Sequence, residues 1–61
     1  MKELDVVKLN KEFNGLKSGT EGTIVLKYDD NYFEVEFFDD NNDTIDVFTT
    51  PVELLKIVKE I

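Results

Sequence analysis

The chain has no cysteine, histidine, arginine or tryptophan, and only one proline and one serine among its 61 residues. Each absence removes a class of chemistry. Without Cys and His, the thiol nucleophile, the commonest general base and the usual zinc ligands are missing. Neither disulfide nor zinc can therefore staple a fold of this size, and Ser18 has no histidine to activate it. Seven lysines stand against fourteen Asp and Glu, a net charge of −7, so the chain lacks the basic patch on which nucleic-acid affinity rests. No apolar run approaches the roughly 20 residues that span a bilayer. Met1 to Val7 shows no signal-peptide core, so the expected location is the cytoplasm. No enzyme, cofactor, nucleic acid or membrane is expected.

What is present is core-forming material for one small domain over residues 1–61, with 41% of residues apolar and seven aromatics. A chain of this length buries only about 60% of the surface exposed on unfolding, so packing alone must hold it.

The apolar spacing reads as strands. From Tyr32 to Phe38, Phe33, Val35 and Phe37 alternate with Glu34 and Glu36, a period of two with one apolar and one acidic face. Thr23 to Tyr28 is rich in β-branched residues, and Asp29-Asp30-Asn31 makes the turn between these two strands. The polar cluster Asp39 to Asp43 leads into Thr44 to Thr49, where Ile45 and Val47 share one face and Asp46 and Phe48 the other. Asp5 to Leu9 is a shorter strand, followed by a loop over Asn10 to Glu21 whose Gly15 and Gly19 supply turns. The C-terminal segment has two readings. Thr50 as N-cap, Pro51 and Glu53 fit a capping box opening a helix of about ten residues. The alternative is a tight turn over Pro51 to Leu54, then a closing strand near Leu55 to Val58 that pairs with Asp5 to Leu9.

The stretch Gly15-Leu16-Lys17-Ser18-Gly19-Thr20-Glu21-Gly22-Thr23-Ile24-Val25 resembles the G-x-x-G-T-V-V entry of KOW-type and related barrels. More closely, the whole chain resembles a family of short bacterial proteins, domain-of-unknown-function family 4926. Asp5-Val6-Val7-Lys8-Leu9, the glycine passage, Tyr32 to Phe37 and the Thr-Pro-x-x-Leu stretch at Thr50 to Leu54 carry that resemblance. It implies a mainly β fold, a small SH3-like five-stranded barrel with a proline-containing 3-10 turn or short helix near the C-terminus. KOW domains often meet RNA through basic loops, whereas the corresponding loops here carry Asp and Asn. True SH3 domains bind proline-rich peptides on aromatics that include a tryptophan, for which only Tyr28, Tyr32 and Phe48 remain.

Asp39-x-Asn41-x-Asp43 matches the start of a calcium loop, but its sixth position is Thr44 and its twelfth Thr50, so a solvated turn is the better reading. Glu34 and Glu36 share a face, with Asp46 expected across from them, and Asp29, Asp30, Asp39, Asp40 and Asp43 crowd the hairpin turns. This charge either keeps a small protein soluble or docks a basic partner. Tyr28, Tyr32 and Phe48 either cover the barrel ends or anchor that partner inside the acidic rim. Phe13 is expected to lie over the core as a lid. The functional expectation is a non-catalytic, acidic protein-binding module, in its most concrete form an immunity protein or antitoxin covering a basic site on a toxin. The alternatives are a structural accessory domain or subunit of a larger complex that pairs through a sheet edge and, behind it, a KOW-like nucleic-acid-associated domain.

Overall fold

The computed structural model describes all 61 residues. The strands are β1 (Val6–Leu9), β2 (Glu21–Lys27), β3 (Tyr32–Phe38), β4 (Thr44–Pro51) and β5 (Leu55–Lys59), with a 3-10 turn over Val52–Leu54 before β5. They form one antiparallel sheet in the order β4-β3-β2-β1-β5. The fold is mainly β, as the spacing and the resemblance imply.

Turn chemistry explains the connections. Asp29 Oδ1 accepts the N–H groups of Asn31 (2.8 Å) and Tyr32 (2.9 Å) between β2 and β3. Asp39 Oδ1 does the same for Asn41 (2.9 Å) and Asp43 (3.0 Å) between β3 and β4. Both are Asx turns, in which a short carboxylate replaces a backbone acceptor. Within the first loop, Asn14 and Gly15 hold positive φ (50° and 82°), while Phe13 and Leu16 exchange both backbone hydrogen bonds. This Asn-Gly pair is a two-residue hairpin inside the loop, and it turns Leu16 into the core.

The core consists of Val7, Leu9, Leu16, Ile24, Phe33, Val35, Phe37 and Leu55. Phe13 lies over it as expected, its ring edge-on to that of Phe48 with centroids 6.2 Å apart. Gly22 permits the close approach of β2 to β3. A Cβ there would meet the Glu36 carbonyl oxygen and Val35 Cγ1 at 2.7 Å each.

Three strands carry an extra residue. Val25 in β2, Ile45 in β4 and Val58 in β5 each fall where the pairing register shifts, and all three are exposed. Bulges of this kind bend a strand and reverse its inside-outside alternation, so one strand serves two directions.

The C-terminal segment takes the second of its two readings, a tight turn followed by a closing strand, β5, that pairs with β1, and it is not a helix. Pro51 begins the 3-10 turn without a side-chain cap, and Thr50 is a fully buried strand residue whose hydroxyl donates to the Phe48 carbonyl at 3.0 Å. Pairing β5 with β1 buries Leu55 and engages strand backbone on both sides, which a lone helix of that length would leave to water. In β4 the expected faces are reversed. Phe48 and Thr50 stand opposite the core residues Val35 and Phe33, while Ile45 and Val47 are exposed. A single parity choice decides the strand. Burying the Phe48 ring against Phe13 and Phe37 outweighs burying two smaller aliphatic side chains.

The two ends of the chain meet at Asp5, which is 1% exposed. Its carboxylate accepts the Lys2 ammonium at 2.9 Å, the Lys2 N–H at 3.0 Å and the Ile61 N–H at 3.1 Å. The Lys2 side-chain hydrogen bond, helped by the two backbone donors, outweighs burial and holds the carboxyl at about 2 against its ordinary 3.8.

Candidate functional site

The acidic surface is the outward side of β2, β3 and β4. Charge is segregated along the chain. Residues 28 to 55 hold nine of the fourteen carboxylates and none of the seven lysines. Lys8, Lys56 and Lys59 lie on β1 and β5, at the other end of the strand order.

Register builds two cross-strand rows on this face. Leu26, Glu34 and Thr49 form one; Thr23, Glu36 and Val47 form the other. Each row places a glutamate at its centre, between one apolar and one hydroxyl side chain. Leu26 and Val47, at diagonal corners, are 42% and 43% exposed. Hydroxyls fix the glutamates. Glu34 Oε1 accepts from Thr49 Oγ1 at 2.9 Å and Oε2 from Tyr28 Oη at 3.2 Å. Glu36 Oε2 accepts from Thr44 Oγ1 at 2.6 Å. Neither carboxylate joins an ion pair; those present are Lys2–Asp5 and Lys27–Asp30. The result is two positioned, half-buried negative charges held only by neutral donors.

The other expected residues divide into three groups. Tyr28 and Tyr32 are exposed and flank the β2–β3 turn, Tyr28 reaching into the site through its hydroxyl. Asp29 and Asp39 have the oxygen that matters committed to backbone N–H groups, while Asp30, Asp40 and Asp43 are exposed on the turns around them. The Asp39-x-Asn41-x-Asp43 stretch is thus an Asx turn. No group of three or more His, Cys, Asp or Glu side chains is placed to hold a metal ion.

Asp46 and Phe48 leave the expected face. Asp46 pairs with Phe37, and Val47 and Thr49 take the positions across from Glu36 and Glu34. Phe48 packs inward. Both displacements follow from the parity of β4. Sequence reasoning missed Leu26, Val47, Thr23, Thr44 and Thr49 as the frame of the glutamates. Alternation alone hides Leu26, because the bulge at Val25 turns it outward.

At Thr23 the face runs into an open cleft of about 700 Å³ between the first loop and the β3–β4 turn. Lys17, Glu21, Asp39, Asp40, Phe38 and Ile45 contribute to its walls. The structure has no helix long and apolar enough to cross a membrane.

A family model described as Domain of unknown function (DUF4926) matches residues 3–57. The chain belongs to this family. The match takes in β1 to β4, the 3-10 turn and the first three residues of β5. No curated protein and no solved structure matches the chain. The DUF4926 description carries no activity.

Proposed function

We propose that this DUF4926 chain is a non-catalytic, acidic protein-binding module that covers a basic surface on a protein partner. Its most concrete form is an immunity protein or antitoxin masking a basic site on a toxin, acting in the cytoplasm. The observation that carries the reading is the pair Glu34 and Glu36, fixed by hydroxyls on a face whose strands β3 and β4 contain no cation. Holding like charges together costs stability, and a partner's cations would offset that cost on binding. A field of one sign also steers a basic partner and speeds association, an effect that salt screens.

The experiment is affinity capture from the native host with the tagged chain at low and at moderate salt. The reading expects a protein partner with a basic surface, retained at low salt and released as salt rises. No captured partner, or one held equally at both salt levels, overturns it.

A further inference from the structure

The rows on the outward face have a chemistry more specific than negative charge. Resting on the protein-binding reading above, we propose that the β2–β3–β4 face is a socket for two arginine side chains, carried two residues apart on an extended segment of the partner. Glu34 and Glu36 point the same way along β3, about 6.8 Å apart at the rise of a strand. An extended partner segment has the same repeat. Its alternate side chains keep step with β3, whereas those of a helix drift out of register.

The neighbours of the glutamates select arginine. A guanidinium is a planar fork that grips a carboxylate through two parallel hydrogen bonds, and it stacks on aromatic rings. Glu34 and Glu36 are held by neutral hydroxyls, so their charge is uncompensated and each carboxylate oxygen keeps a free lone pair. The ring of Tyr28, which is 53% exposed, stands beside Glu34 for a guanidinium to stack on. Leu26 and Val47 offer exposed apolar surface for the aliphatic stems, which are buried while their heads reach the carboxylates. A lysine partner would gain the charge attraction but not the fork or the stacking. The chain contains no arginine of its own to occupy the socket. The acids of the two turns do a different job: exposed, with Asp29 and Asp39 committed to backbone N–H groups and Asp30 paired with Lys27, they attract at a distance and do not select.

The test is an amide-resolved NMR titration of the chain with two peptides of equal length and neutral flanks, one carrying Arg-Val-Arg and the other Lys-Val-Lys. The socket expects shifts centred on Leu26, Glu34, Glu36 and Val47, and about tenfold tighter binding of the arginine peptide. Glu34→Gln with Glu36→Gln, which removes both charges while leaving each side chain one oxygen to accept from a hydroxyl, should abolish that preference. Asp40→Asn with Asp43→Asn, an equal change in charge on the β3–β4 turn, should leave it in place. Equal binding of both peptides, shifts confined to the turns, or no binding at millimolar peptide overturns the socket. A host protein captured equally by the wild-type chain and the double Gln variant would sink the socket and spare the protein-binding reading. An arginine-selective face with no captured host protein would do the reverse.

Discussion

Asp46 accepts, through Oδ1, the N–H of the residue that follows it, Val47, at 2.8 Å. β4 lies at one end of the sheet order, where an unpaired row of backbone groups is a template for another strand. The Asp46 carboxylate occupies one donor of that row, Pro51 supplies none, and the bulge at Ile45 bends the strand away from a flat edge.

Asp46→Ala combined with Pro51→Ala should therefore open the edge. The variant is expected to associate as concentration rises while the wild-type chain stays monomeric, as read by sedimentation velocity. A variant as monomeric as the wild type would show that this edge is guarded by something else.

Asp5 makes a pH prediction with a definite sign. Its carboxyl is held at about 2 in the folded chain against an ordinary 3.8, so its contribution is complete above pH 3.8 and is lost as pH falls toward 2. Asp5→Asn should be less stable than the wild type at neutral pH, with the difference shrinking through that window. Denaturant unfolding at a series of pH values checks it, and a difference that stays constant down to pH 2 contradicts the assignment.

Gly22→Ala should destabilise the chain by about 1–3 kcal/mol through overpacking, because the close atoms include the Glu36 carbonyl oxygen of the paired strand, which cannot swing aside. Thermal unfolding should register this as a clear fall in Tm. An unchanged Tm would mean that β2 and β3 separate more easily than their pairing implies.

Phe33→Ala, at a side chain 2% exposed, should cost about 3–5 kcal/mol. A domain this small rarely has more than about 3–5 kcal/mol to lose, so the variant should show no cooperative thermal transition by circular dichroism. Phe48→Ala, at a half-buried ring, should still fold with a lowered Tm. Cooperative unfolding of Phe33→Ala near the wild-type Tm would point to a core that rests elsewhere.

Much of the architecture was legible in the residues. The alternation of Phe33, Val35 and Phe37 with Glu34 and Glu36 placed β3 and its two faces correctly, because an unbulged central strand has only one consistent parity. The Asp-rich turns and Phe13 as a lid were also readable from residue type. The faces of β4 were not. Ile45 and Val47 form as good an apolar row as Phe48 with Thr50, and only the register against Val35 and Phe33 decides between them. The C-terminal segment stayed ambiguous because Leu54, Leu55, Ile57 and Val58 suit a helix as well as a strand, and the partner that settles the matter, β1, is some 50 positions away. Asn14-Gly15 is a local turn signal, but reading Gly15 only as one turn in a long loop left the small hairpin that holds Leu16 unforeseen. The clamp of Ile61 on Asp5 had no local signal at all. For the site, the glutamates were visible and their frame was not, since Leu26 faces outward only by virtue of the bulge before it.

Because a single carboxylate holds both Lys2 and Ile61, the chain is very nearly a ring. A short linker from Ile61 to Met1 would close it, and the exposed turn at Asn41 and Asn42 offers a place to cut new ends. In such a circular permutant the Asp5–Ile61 contact, now spanning 56 positions, would close within one short loop. The β3–β4 hairpin, now local, would become the distant pairing that must wait for the rest of the sheet.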